Sequence, residues 1–152
     1  MILFLDFDGV LHTWGSPRDE FFCYLPRLEA VLREYKHVQV VVSSDWRFSH
    51  SLEELKAKFS PDIAERVIGK TPSLMQRRAA YEGLRRREAT KFLNDNKLDQ
   101  TLWCALDDLQ ELWEPIDRRI IVCPNEFGKN EERRLRVILE AQSWAGSFRN
   151  DD

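Results

Sequence analysis

Ile2-Leu3-Phe4-Leu5-Asp6-Phe7-Asp8-Gly9 is the stretch from which the fold can be read. Its apolar run is short and stopped by Asp-Gly, the pattern of a strand buried on both faces. Asp6 and Asp8 lie two apart. If both stay extended, their side chains point to the same side and Phe7 points away. Gly9 permits a sharp turn directly after them.

Similar signals recur along the chain. Residues 38–42 form a second apolar strand, rich in β-branched residues. Between the two, residues 26–35 read as a helix, with Leu28, Val31, Leu32 and Tyr35 on one face and Pro26 at its start. The pattern predicts a helix over 51–59 and a short strand over 66–68, ended by Gly69. A long helical stretch follows over 73–94, with Gly83 as a candidate break. Strands are predicted at 101–106 and 119–123. The closing helix spans 130–144, with Leu135, Ile138 and Leu139 inward, and the tail at 149–152 reads as frayed. Repeated strand–helix units with continuous apolar strands predict an α/β domain: a parallel sheet covered by helices on both faces. At 152 residues, with no repeat, low-complexity tract or linker, the chain reads as one domain over 1–152.

Composition narrows the function classes. Lys and Arg number 23 against 26 Asp and Glu, a net charge of −3, which argues against a uniformly basic nucleic-acid-binding surface. The apolar stretches at 1–5 and 38–42 fall far short of the roughly 20 residues of a spanning helix, so no membrane partner is expected. The start does not read as a signal peptide, because it lacks a basic segment and Asp6 and Asp8 interrupt it. Cys23, Cys104 and Cys123 are odd in number and widely spaced. They suit neither a disulfide framework nor a metal knuckle, and point to a reducing, cytoplasmic setting. Nothing in the sequence sets the oligomeric state.

In an open α/β sheet, ligands bind beyond the carboxyl ends of the strands. Those positions hold Asp6 and Asp8, then Ser43, Ser44 and Asp45, then Asp107 and Asp108. Carboxylates gathered on one rim repel unless a cation neutralises them, and an all-oxygen cluster suits Mg²⁺. One carboxylate of the Asp6/Asp8 pair can attack an electrophile while the other handles a proton. A hydroxyl at Ser43 can hold a phosphoryl oxygen, and a Lys or Arg can neutralise another. These are the parts of a phosphoryl-transfer site.

The segment 3–12, Leu-Phe-Leu-Asp-Phe-Asp-Gly-Val-Leu-His, resembles the first motif of the haloacid dehalogenase-like (HAD) superfamily. Val40-Val41-Val42-Ser43-Ser44 resembles its second motif, and Ala105-Leu106-Asp107-Asp108 its fourth. More narrowly, Ser43-Ser44-Asp45-Trp46-Arg47, Gly69-Lys70-Thr71-Pro72 and Leu106-Asp107-Asp108 are similar to a bacterial and phage group of small HAD domains, some associated with RNA-repair proteins. The resemblance implies a three-layer Rossmann-like fold and a Mg²⁺-dependent phosphomonoester phosphatase. Asp6 would be the nucleophile that forms an aspartyl-phosphate, and Asp8 the general acid and then base. Ser43, backed by Ser44, would bind the phosphoryl group. Asp107 and Asp108 would hold Mg²⁺, with Asp6 and the backbone carbonyl of Asp8. The family's third motif is a Lys or Arg, for which Lys70, Arg85 and Lys91 compete; Arg85 is preferred and Lys70 comes second. The segments at 9–39 and 46–102 leave little room for an inserted cap. An open site would admit a large substrate, such as a nucleic-acid end or a phosphoprotein.

Other readings compete. A calcium loop would need an acid at position 4, where Phe4 stands. A response-regulator receiver carries its phosphoacceptor on the third strand, so the order is wrong. A non-catalytic HAD module binding phosphate or a partner protein is the main rival, and the intact acidic set argues against it. Asp45 reads as a loop or helix-cap residue, and His12 as a loop residue rather than a catalytic one. Trp46 and Arg47 brace their loop or touch substrate. Arg77, Arg78, Arg85, Arg86, Arg87 and Lys91 suggest a nucleic-acid face, but read better as a solvated helix surface partnered by Glu82 and Glu88. Trp14, Phe21, Phe22 and Tyr24 form either a substrate-facing flap or a small satellite cluster.

Overall fold

The computed structural model describes residues 1–76 and 80–147, with side chains as far as Ser143. Arg77, Arg78 and the tail at 149–152 lie outside the described residues. Five parallel strands form one sheet: β1 (Ile2–Leu5), β2 (Gln39–Val42), β3 (Val67–Lys70), β4 (Trp103–Asp107) and β5 (Ile120–Val122), in the order β3-β2-β1-β4-β5. Helices α1 (Leu25–Glu34), α2 (Leu52–Lys56), α3 (Pro61–Ala64), α4 (Leu84–Asp95) and α5 (Lys129–Ser147) connect or follow them. This is the three-layer, Rossmann-like arrangement the sequence predicts.

Strand alternation divides the core in two. Leu3, Leu5, Val40, Val42, Cys104 and Leu106 face α1, α2, α3 and α5, where Leu28, Leu32, Leu55, Ile63, Leu135 and Leu139 meet them. Ile2, Phe4, Val41 and Ala105 face the other way, onto Leu84, Ala89, Phe92 and Leu93 of α4 and onto Trp113. At roughly 1.5–3 kcal/mol for each fully buried large apolar side chain, these two layers are the main favourable term in folding. As expected, neither segment that could hold a cap contains an added layer among the described residues: 9–39 carries a 3-10 turn at Arg18–Glu20 and α1, and 46–102 carries α2, α3, β3 and α4.

Three elements differ from expectation. β3 is not ended by Gly69 but runs through it to Lys70. The stretch 73–94 is not one helix. The backbone N–H of Leu74 donates to the Glu88 carboxylate at 3.0 Å, residues 71–76 carry no helix, and α4 begins only after Gly83. Gly83 has φ 70°, and a Cβ there would meet the Glu114 carbonyl oxygen at 2.7 Å. The predicted helix over 51–59 is shorter than expected, ending at Lys56, and a separate helix follows it beyond 59. Ser51 caps α2 by accepting the Glu54 N–H at 3.1 Å, and Pro61 starts α3 anew.

Among the described residues, no helix is long and apolar enough to cross a membrane. All three cysteines are free thiols. Burial pushes the Cys104 thiol up to about 12, so it behaves as a small apolar side chain.

Candidate active site

Strand register assembles the site. Leu5 pairs with Val42 on one side and Leu106 on the other, and Val42 pairs with Lys70. The residues one step further therefore form a row at the carboxyl edge: Thr71, Ser43, Asp6 and Asp107. Backbone bonds hold the row, from Thr71 N to Val42 O at 3.0 Å, Ser43 N to Leu5 O at 2.9 Å and Asp6 N to Leu106 O at 3.0 Å. By alternation the row faces the α4 side, as Phe4, Val41 and Ala105 do.

Asp6, Asp107 and Asp108 each place a carboxylate oxygen within 4.8 Å of the others. Asp6 and Asp107 are almost fully buried. From α4, Arg85 reaches them: Nη1 lies 2.5 Å from Asp107 Oδ2 and 3.4 Å from Asp6, and Nη2 lies 3.2 Å from Asp45. Burial works against the Arg85 charge, but Asp107, Asp6 and Asp45 together outweigh it and push its pKa up. Burial first, and then the Asp107 charge, hold the Asp6 carboxyl well above the usual carboxylate range. Burial also raises Asp108. Three clustered acids thus face one guanidinium, which leaves a negative excess.

The two C-terminal acids differ in their partners. Asp107 Oδ2 accepts from Arg85 and from Trp113 Nε1 at 2.8 Å, while Oδ1 accepts the Leu109 N–H at 3.0 Å. Asp108 Oδ2 accepts from Trp14 Nε1, but its Oδ1 is buried without a partner. Ser43 Oγ and Thr71 Oγ1 are likewise buried and unpartnered. A buried hydroxyl or carboxylate oxygen left so costs about 1–3 kcal/mol unless a ligand satisfies it. Orphaned oxygens beside a negative excess fit a hard divalent cation such as Mg²⁺ together with a phosphoryl group.

Asp8 stands apart from that cluster. Gly9, at φ 77°, turns the chain against the Asp108 carboxylate so closely that a Cβ would collide with it. The turn brings His12 back beside Asp8, with Gly9 N donating to His12 O at 2.8 Å. His12 Nε2 lies 2.8 Å from Asp8 Oδ1, and Trp46 Nε1 donates to Asp8 Oδ2 at 2.9 Å. His12 is 1% exposed and belongs to the packed interior, not to a free loop.

The remaining expectations sort as follows. Lys70 is not brought to the carboxylates. It projects to the opposite side from Thr71, and its ammonium donates to the carbonyls of Arg47 and His50. Lys91 pairs with Asp95 on the outer face of α4. The Ser44 hydroxyl is used locally, accepting the Trp46 N–H. Asp45 does not cap that turn; its carboxylate reaches Arg85 instead. Arg47 braces the loop, donating to the carbonyls of Ser43, Ser44 and Thr71 and to buried Glu88. α4 is therefore no uniformly solvated surface. Arg86 is tied to Asp117 and two carbonyls, and Arg87 to the carbonyls of Glu82 and Ala80. In the aromatic segment, Phe21 stacks on His12 and Phe22 packs on Phe7 and Trp46, while Trp14 stays exposed over Asp108. No pattern in the sequence marks His12 and Trp46 as partners of Asp8, or Thr71 as a hydroxyl at this edge.

The family model of the HAD domain in Swiss Army Knife RNA repair proteins matches residues 2–133. The chain belongs to that family. The match spans all five strands and every strand-end residue of this HAD domain's site. No curated protein and no solved structure matches the chain. Family membership supports phosphatase-like chemistry of the HAD type at the level of the superfamily.

Proposed function

We propose that this HAD domain is a Mg²⁺-dependent phosphomonoester phosphatase. The observation that carries the reading is the convergence at one sheet edge of a buried carboxylate, an orphaned hydroxyl, a guanidinium and an excess of acidic oxygens. Asp6 is the nucleophile: an oxygen of its carboxylate bonds to phosphorus as the bond from phosphorus to the leaving oxygen breaks. Asp8 donates its proton to that leaving oxygen. It then takes a proton from the water that attacks the aspartyl-phosphate, which releases inorganic phosphate and restores Asp6. The Ser43 hydroxyl donates to a phosphoryl oxygen, with Thr71 one strand further along, and Arg85 neutralises charge beside Asp6. Asp6, Asp108 and the carbonyl of Asp8 would hold the metal, while Asp107 is given mainly to Arg85. Bound there, Mg²⁺ supplies Lewis-acid stabilisation of the phosphoryl charge.

The uncapped rim suits a substrate larger than a sugar phosphate, and a phosphorylated nucleic-acid end fits the family's description. Exposed Trp14 beside Asp108, with exposed Phe48, Met75, Tyr81 and Leu109 lining a neighbouring cleft, favours a leaving group with a planar ring. The free cysteines favour a reducing compartment such as the cytoplasm.

The test is a panel of p-nitrophenyl phosphate, nucleotides, sugar phosphates and 5′- or 3′-phosphorylated oligonucleotides, with Mg²⁺ and with chelator. Turnover should require Mg²⁺ and vanish in Asp6→Asn, whose circular dichroism should match wild type. Activity retained in Asp6→Asn refutes the nucleophile. Mg²⁺ binding without hydrolysis of any phosphoester would favour a non-catalytic module instead.

A further inference from the structure

We propose that His12 and Trp46 are positioning residues for Asp8, fixing the plane of its carboxylate for proton transfer at the leaving-group oxygen. The inference rests on the phosphatase reading and goes beyond it. Both Asp8 oxygens are gripped, Oδ1 by His12 Nε2 at 2.8 Å and Oδ2 by Trp46 Nε1 at 2.9 Å. An indole N–H only donates. The imidazole is directed as well, because the backbone N–H of Phe22 donates to His12 Nδ1 at 3.3 Å. A backbone N–H cannot accept, so Nδ1 carries the lone pair and the ring proton sits on Nε2, aimed at Asp8.

The grip is built into the fold. Phe22 has φ 63°, in the left-handed region that residues with side chains avoid, in the same turn that presents its N–H to His12. The His12 ring is stacked on Phe21 at 4.6 Å and 21°, with the Phe22 ring edge-on at 5.3 Å. Trp46 is held between Phe7, Phe22 and stacked His50. Behind the turn, Leu11 N donates to Phe7 O at 2.8 Å and Tyr24 N to Leu11 O at 2.9 Å. Each Asp8 oxygen keeps a second lone pair, so the clamp orients the carboxyl group without occupying the position from which a proton leaves.

Leaving-group chemistry separates positioning from packing. p-Nitrophenolate departs without help, whereas an alkoxide needs the proton. General acid catalysis is worth roughly 10²–10⁴-fold, so a misplaced Asp8 should tell mainly on alkyl esters. The experiment measures kcat/KM for p-nitrophenyl phosphate and for ethyl phosphate in wild type, Trp46→Phe, His12→Phe and His12→Gln. The ratio of aryl to alkyl rates should rise about tenfold or more in Trp46→Phe and His12→Phe. His12→Gln keeps an N–H near the Nε2 position and should recover most of the alkyl rate. Equal fractional losses on both esters would mean a merely structural role and overturn the proposal. Should His12→Phe fail to fold, Trp46→Phe, which keeps an aromatic ring in place, decides alone.

A second arm does not depend on turnover. In ¹⁵N-edited NMR of the full chain, the His12 Nε2–H and Trp46 Nε1–H resonances should both shift in Asp8→Ala; unmoved resonances overturn the clamp. If wild type hydrolyses neither ester while both resonances shift, the phosphatase reading falls and takes the proton-transfer role with it. If wild type hydrolyses both and the ratio stays constant across the variants, only the positioning role falls.

Discussion

Arg85 bridges three acids from three different strand ends, with Asp107 at 2.5 Å, Asp45 at 3.2 Å and Asp6 at 3.4 Å. Asp107 and Arg85 are both nearly buried, so the pair has little solvent to screen it. Replacing a buried pair by apolar groups can be neutral, but removing one partner leaves a bare charge inside and costs about 3–5 kcal/mol. Arg85→Gln should therefore lose stability on that scale in urea titrations at neutral pH, and lose turnover with it. Arg85→Lys keeps the charge, but a single ammonium cannot bridge Asp107 and Asp45 with separate nitrogens. It should keep more of the stability and still fall in activity. An Arg85→Gln variant within about 0.5 kcal/mol of wild type, the ordinary scale of a surface substitution, would remove the guanidinium from its assigned place.

Where α4 starts determines which charged residues turn inward. Begun at Leu84, the helix puts Arg85, Glu88, Ala89 and Phe92 on its buried side at spacings of three and four. Gly83 sets that start, and Gly83→Ala tests it. A side chain at φ 70° costs about 1–2 kcal/mol, and the added Cβ must also displace the Glu114 carbonyl. Denaturant titration should show at least that loss, with reduced phosphatase turnover because Arg85 shifts with the first turn. Unchanged stability would mean that α4 does not begin where it is described. The same element marks the limit of what the sequence makes legible. β1, β2 and β4 are plain because buried parallel strands are continuous apolar runs, and the strand-end acids follow from them. The cation that meets these acids is not plain. Hydrophobic periodicity cannot register a buried arginine and glutamate on the inner face of a helix, and it runs the helix back through Gly83 to Ser73. His12 was hidden for another reason. Its place depends on the turn at Gly9 and on a backbone N–H ten residues away, neither of which has a residue pattern of its own.

Across the whole molecule, the winding of the chain reverses between β1 and β4: it runs outward to β3 and then returns to the other side of β1, with all strands parallel. Ligand crevices form at such switch points, and here the crevice holds more acid than base. Burial and neighbouring acids raise the Asp6 and Asp108 carboxyls above their unfolded values. A carboxyl raised in the fold binds its proton more tightly folded than unfolded. Its stabilising contribution is complete below the ordinary carboxylate range and is lost as pH rises through the folded value. Metal-free protein should therefore lose stability as pH climbs from about 4 towards and beyond the raised values. A divalent cation favours the ionised carboxylates and should restore what is lost, more at pH 8 than at pH 5. At a Mg²⁺ concentration of 100 Kd the linkage is worth about 2.7 kcal/mol, a Tm rise of roughly 5–10 °C for a chain of this size. His37, whose pKa burial lowers, gives a slope of opposite sign, but it lies at the amino ends of the strands. Subtracting the metal-free Tm from the Mg²⁺ Tm at each pH removes its contribution. The difference should grow with pH in wild type and collapse in Asp108→Asn, which neutralises the acid whose buried oxygen has no partner. A difference that stays flat with pH, or survives in Asp108→Asn, would place any bound cation somewhere other than this carboxylate cluster.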